Sequence, residues 1–172
     1  MTAVNKVHFT KETILLFLGI VMAVVILDQV TKCYIHATMM LHESFPVIDG
    51  FFNITYIRNP GAAFGFLAGA PLVFRSLFFL AVTIAAIVLI LYYLYTNPGC
   101  GRLLMVALAL ILAGAVGNMI DRLRFGEVID FLDVYIGTTH WPAFNVADSA
   151  ISIGAVVLFL SLVRQGKEPK GS

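Results

Sequence analysis

Charge is scarce in this sequence. Asp, Glu, Lys and Arg make up 12% of its 172 residues, where a soluble domain carries about 25%. Hydrophobic residues reach 60%, and the mean hydropathy is +0.94. That balance excludes a soluble globular enzyme and a disordered chain. Cysteine is scarce as well. Cys33 and Cys100 are the only two, which excludes a secreted disulfide scaffold. They fall near span ends on opposite sides of the expected topology, so no disulfide is expected. Their plain reading is as ordinary buried small residues. The net charge of +1 leaves no basic face for nucleic acid. Common catalytic signatures are missing too: there is no GxSxG elbow, no HExxH and no GxGD. His8, His36, His42 and His140 are scattered without ligand spacing, so no metal site is expected.

What the sequence does have is long apolar runs. A helix crosses a bilayer with about 20 largely apolar residues. Four windows qualify, at about 13–34, 73–95, 102–123 and 146–163. The first outruns a typical signal-peptide core and no small-x-small site follows it, so it is expected to remain as an anchor. Asn97, Pro98 and Gly99 break the second window from the third and predict a helical hairpin. Four spans put both termini on one side. Lys6, Lys11, Arg102, Arg164, Lys167 and Lys170 lie on that side, against Arg58, Arg75, Arg122 and Arg124 opposite. The positive-inside rule then makes both termini cytoplasmic. Tyr92, Tyr93, Tyr95, Trp141 and Phe144 sit at span ends, as an aromatic belt does.

The expected fold is therefore a mainly α, polytopic membrane protein, one domain over residues 1–172. Its extracytoplasmic loops run over about 35–72 and 124–145. In the first loop, Phe51 to Ile57 is rich in β-branched and aromatic residues and predicts a strand. Pro46-Val47-Ile48 pairs with it across the hairpin turn Asp49-Gly50. Asn59-Pro60-Gly61 reads as a turn, and Ala62 to Leu67 as a segment lying at the membrane surface. A small β-sheet and an interfacial segment are thus expected on the extracytoplasmic face.

Ionisable groups at a membrane edge are costly, which makes them functional candidates. Asp28, Asp121, Glu127, Asp130, Asp133 and Asp148 lie at or near the outer span ends. Each has a plain reading beside the functional one. Asp28 and Lys32 are i and i+4, the spacing of a structural ion pair at the interface. Asn118, Asp121 and Arg122 share a helix face after a run of small residues. Asp121 reads first as interhelical glue, with Arg122 as a natural partner. Asn145 and Asp148 read as the cap and third residue of a helix, whose N-terminus favours an ionised carboxylate. Asp130, flanked by apolar residues, is a desolvated carboxyl whose pKa rises. Asp133 reads as a loop acid facing water. Two carboxylates sharing one proton make an aspartic-protease pair, and residue chemistry leaves that pair open among Asp121, Asp130, Asp133 and Asp148.

Five segments then fall in order along the chain. They are Leu27-Asp28-Gln29-Val30-Thr31-Lys32, Asn59-Pro60-Gly61-Ala62-Ala63-Phe64, Gly114 to Arg122 (GAVGNMIDR), Gly126-Glu127-Val128-Ile129-Asp130-Phe131, and Pro142 to Ser149 (PAFNVADS). Together they resemble the lipoprotein signal peptidase (signal peptidase II) family, bacterial membrane aspartic proteases. The resemblance implies that Asp130 and Asp148 are catalytic, and that Asn59, Asn118, Arg122 and Asn145 line the site and hold the substrate backbone. It makes Asp28 and Asp121 supporting residues, with Lys32 beside Asp28, and leaves Asp133 out. Gly61, Ala62 and Ala63 would leave room for the lipid-bearing cysteine. The implied reaction is hydrolysis of the peptide bond before a diacylglyceryl-modified cysteine in a prolipoprotein. No cofactor is implied, and the family is the target of the cyclic peptide globomycin. The expected setting is the bacterial cytoplasmic (inner) membrane, in contact with membrane lipid, with the site near the extracytoplasmic face and the chain acting as a monomer. The competing readings are a small proton-coupled transporter or channel, which predicts broken helices and inverted repeats, and a structural scaffold. The second leaves Asn118, Arg122, Asn145 and two carboxylates without a reason.

Overall fold

The computed structural model describes residues 9–61 and 69–165. Four helices long and apolar enough to cross a membrane run through it. They are α1 (Lys11–Thr38), α2 (Leu72–Thr96), α3 (Arg102–Phe125) and α4 (Val146–Gln165). In lipid the backbone must satisfy its own polar groups, so each apolar run becomes an unbroken helix. The helices are a few residues longer than the apolar windows because their ends reach into the interface. Thr10 caps α1 by accepting a bond from the Thr13 N–H at 3.2 Å. α3 stops at Gly126, whose φ of +76° is open to glycine at little cost.

α3 is the central helix and packs on α1, α2 and α4. Small residues make this possible. A Cβ on Gly114 would run into the Ala147 carbonyl, and one on Gly154 would lie 2.7 Å from Ile111 Cγ1. The backbones of α3 and α4 therefore approach closely, as small-residue faces allow in membranes. Leu104, Leu108 and Leu112 of α3 close on Ile90 and Leu94 of α2. The outward faces of α1 and α2 expose Leu15, Leu18, Met22, Val73, Leu77 and Leu89, as helices facing lipid do.

At one end of the bundle sits a four-stranded antiparallel sheet in the order β1-β2-β3-β4. Its strands are β1 (Ser44–Ile48), β2 (Phe52–Asn59), β3 (Val128–Ile136) and β4 (Thr139–His140). The β1–β2 hairpin turns where Asp49-Gly50 predicted it, with Gly50 at a φ of +77°. The second outer segment, expected as a loop, holds β3 and β4. Val128-Ile129-Asp130-Phe131-Leu132-Asp133-Val134-Tyr135-Ile136 is as β-branched and aromatic as β2, and it pairs with β2. The Ala62–Leu67 segment lies outside the described residues.

Three side-chain expectations change. Asp133 does not face water: it is buried in β3, accepting from Asn53 Nδ2 at 2.9 Å and lying 2.8 Å from His140 Nδ1. Cys33 is exposed rather than buried, and both cysteines are free. Asp121 does not pair with Arg122. Its carboxylate turns to α1, and the Arg122 Nη1 donates to the Asn118 carbonyl at 3.3 Å.

Candidate active site

The site is assembled by a fold-back between β3 and α4. The Phe131 and Leu132 N–H groups donate to the Phe144 carbonyl at 3.0 and 2.8 Å, and the Phe144 N–H returns a bond to the Leu132 carbonyl at 3.0 Å. This lays the start of α4 against the strand that carries Asp130. Asn145 and Asp148 then form a reciprocal cap. Asn145 Oδ1 accepts from the Asp148 N–H at 2.9 Å, and Asp148 Oδ2 accepts from the Asn145 N–H at 3.3 Å.

Asn145 is fully buried and joins the two acids. Its Nδ2 donates to Asp130 Oδ1 at 2.7 Å, while its backbone holds Asp148. Asn59, at the end of β2, donates to the other Asp130 oxygen at 2.8 Å. Asn118 of α3 donates to Asp148 Oδ1 at 2.7 Å. Each carboxylate oxygen thus receives one N–H, and these bonds fix the orientation of both acids. Asp130 is 1% exposed. Burial pushes its carboxyl up to about 7, and the negative charge of Asp148 adds to the rise; Asn59, Asn145 and Lys32 pull the other way. The expectation of a desolvated Asp130 is met.

Behind the acids lies a buried ionic network. Lys32 Nζ reaches Asp28 Oδ2 at 2.9 Å, Asp121 Oδ2 at 3.0 Å and Asn118 Oδ1 at 3.0 Å. The Asp28–Lys32 pair exists as the i, i+4 spacing predicts, but inside the protein, with Asp28 0% and Lys32 1% exposed. Its free ends position the chain on both sides of the site. Asp28 Oδ1 accepts from the Ala147 N–H at 2.9 Å, one residue before Asp148. Asp121 Oδ2 accepts from the Ile129 N–H at 3.1 Å, one residue before Asp130. Asp28 also takes an open N–H of α4's first turn, where a carboxylate complements the helix dipole. Asp121 is glue between α3, α1 and β3. Gln29 also belongs to this network, although the sequence reading gave it no role. Its Nε2 lies 3.1 Å from Asp28 Oδ2 and 3.1 Å from Asp121 Oδ1. A polar side chain inside an apolar span was the available signal. Gly117 leaves the space for Asp28, since a Cβ there would lie 2.6 Å from Asp28 Oδ2.

Arg122 is close enough to interact electrostatically with Asp148 and Asp130, and its guanidinium lies 5.7 Å from the Phe79 ring centroid. Gly61 is buried at a φ of +96°, and its N–H donates to Asn59 Oδ1 at 2.8 Å. The room it leaves is filled by Phe79, which a Cβ there would overlap. In that way Gly61 fixes the amide that holds Asp130. The geometry therefore gathers Asp130, Asp148, Asn59, Gly61, Asn118, Arg122, Asn145, Asp28, Asp121 and Lys32 around one end of the bundle. Asp133, three residues along β3 from Asp130, is engaged with Asn53 and His140.

A four-helix membrane bundle carrying two jointly held carboxylates, Asp130 buried and Asp148 half-buried, defines a class, that of polytopic membrane enzymes. Two solved bacterial membrane enzyme structures share the fold. One superposes with a TM-score of 0.80 at 39% identity, covering 96% of this chain and 95% of the other. The second gives 0.75 at 41% identity, covering 92% and 97%. The family described as Signal peptidase (SPase) II matches residues 20–164, and the chain belongs to that peptidase family. The lipoprotein signal peptidase of Syntrophus aciditrophicus (strain SB) is 61% identical over 158 residues, 92% of this chain and 98% of that protein. That of Geobacter sulfurreducens is 50% identical over 155 residues, 90% and 96% of the two chains.

Proposed function

We propose that the chain is an aspartic endopeptidase that removes signal peptides from prolipoproteins, cutting before the diacylglyceryl-modified cysteine. The observation that carries this reading is the Asn145 bridge, with Asp130 on its side chain and Asp148 on its backbone. Family membership supplies the lipoprotein substrate class.

In this reading the pair holds one proton, on Asp130, the acid raised to about 7. Asp148 is the ionised partner, held by two N–H donors at the start of α4. Asp148 takes a proton from water as its oxygen attacks the scissile carbonyl carbon. Asp130 hydrogen-bonds the carbonyl oxygen and transfers its proton as that oxygen becomes a hydroxyl. The resulting diol collapses when Asp148 passes its proton to the leaving amine, the C–N bond breaks, and a hydroxyl proton returns to Asp130. Asn59 and Asn118 keep both acids in place through the cycle, and Arg122 lines the same end for the substrate backbone.

The substrate arrives in the membrane, anchored by its signal helix and two acyl chains. A site at the end of the spans meets it at the depth of the modified cysteine. We place this end on the extracytoplasmic side of the inner membrane, with both termini cytoplasmic and the enzyme acting as a monomer. The test is mass analysis of the peptide released from a diacylglyceryl-modified prolipoprotein by the purified protein. A peptide ending at the residue before the cysteine supports the reading. Cleavage elsewhere, or equal cleavage of the unmodified precursor, contradicts it.

A further inference from the structure

Beside the site, at the same end of the bundle, a second cluster remains that the proposed chemistry does not use. Phe125 is the last residue of α3. Two guanidiniums sit over its ring, Arg58 at 4.2 Å and Arg124 at 4.8 Å from the centroid. His36, in the last turn of α1, meets the same ring edge-on at 5.4 Å. Tyr56 ties the group together: its hydroxyl lies 2.8 Å from His36 Nδ1 and accepts from Arg58 Nε at 2.8 Å.

No acid among the described residues forms an ion pair with these arginines. Among the described residues the ion pairs are Lys32–Asp28, Lys32–Asp121 and His140–Asp133. Arg58 has two further contacts, Nη2 to His36 Nδ1 at 3.4 Å and its guanidinium 5.5 Å from the Tyr56 ring centroid, and Arg124 has one, Nη1 to Cys33 Sγ at 3.9 Å. Each guanidinium has five N–H donors, and most of them meet no acceptor among the described residues. Compensation of the helix dipole accounts for a cation in the last turn of α3. It does not account for Arg58, which comes from β2 to the same ring. Arg124 and His36 are exposed, and the cluster stands where spans α1 and α3 end, the depth of lipid headgroups.

We propose that Arg58 and Arg124 clamp the phosphodiester of an anionic phospholipid on the rim of the bundle. Paired guanidiniums suit a phosphate, to which they donate in a fork. The exposed apolar flanks of Leu123 and Tyr34, one residue from Arg124 and Cys33, give the acyl chains a surface to lie on. Headgroup depth selects the lipid over a free anion. Two arginines in no ion pair among the described residues select a net-negative headgroup over a zwitterionic one.

The test is native mass spectrometry of the detergent-solubilised protein with phosphatidylglycerol and phosphatidylcholine of matched chains, and separately with inorganic phosphate as competitor. Wild type should retain phosphatidylglycerol preferentially. Arg58→Gln and Arg124→Gln should each weaken that retention about fivefold, the effect of one surface arginine on an anionic lipid. Phosphate at equal concentration should not compete. The exposed Arg124 carries the test alone if Arg58→Gln does not fold. Equal retention of the two lipids by wild type would overturn the proposal. So would an unchanged preference in folded Arg124→Gln, or full displacement by inorganic phosphate, which marks a site for free anions.

Discussion

Replacing Lys32 by Met should damage this protein out of proportion to the size of the change. The stem of the side chain is kept and only the ammonium goes. That ammonium touches Asp28, Asp121 and Asn118 at 2.9, 3.0 and 3.0 Å. Asp28 and Asp121 are 0% and 1% exposed, so both would be left as buried carboxylates without their cation. Buried ion pairs often add little net stability, but removing one partner costs about 3–5 kcal/mol. At about 2–4 °C per kcal/mol for a chain of this size, the melting temperature should fall by roughly 6–20 °C. The assay is thermal unfolding in detergent, with Asp28→Asn and the double variant measured alongside. The double variant strands one charge rather than two, so it should recover part of the Lys32→Met loss. The acids also hold the Ala147 and Ile129 N–H groups, so folded Lys32→Met should lose activity as well. A Lys32→Met protein as stable as wild type, or a second substitution that simply adds its own penalty, would refute the network argument.

The remaining predictions concern the site and its frame. Asp130 is raised to about 7, so its proton is held below that pH and lost as pH rises through it. kcat/KM should therefore fall above about pH 7, approaching tenfold per pH unit. Asn59→Ala removes a donor that favours the ionised form, so a pH–rate profile should show that limb moved to higher pH. Gly117→Val puts a side chain where a Cβ alone would meet Asp28 at 2.6 Å. Thermal melts should register an overpacking cost of about 1–3 kcal/mol. Asp133→Asn should leave turnover near the wild-type value in the same cleavage assay, because Asp133 is engaged with Asn53 and His140.

The spans were legible because a bilayer demands long apolar runs, and the first hairpin because Asp49-Gly50 marks its turn. β3 was not, because its acids recur at a spacing of three, Asp130 and Asp133, and its first four residues are all buried, so it lacks the alternation that marks a half-buried strand. Its partner β2 lies about 70 residues earlier in register, Ile57 opposite Asp130, a distance no local pattern reports. Asn145 and Asp148 were readable as a cap, since capping is local. The bond from Asn145 to Asp130 was not, because it depends on the Phe144 fold-back. Lys32 shows the same limit. Its i, i+4 partner Asp28 followed from spacing, while Asp121 and Asn118 come from another helix. Burial turned an ordinary surface-type pair into the frame of the site.

The most direct test of the account is single-turnover cleavage of a diacylglyceryl-modified prolipoprotein by wild type, Asp130→Asn and Asp148→Asn, each confirmed folded by its thermal transition. The account predicts cleavage by wild type and, for each variant, loss of at least about a thousandfold, since neither acid can replace the other's proton transfer. Near-wild-type cleavage by either folded variant would contradict the pair and return the search to the other acids at this end of the bundle.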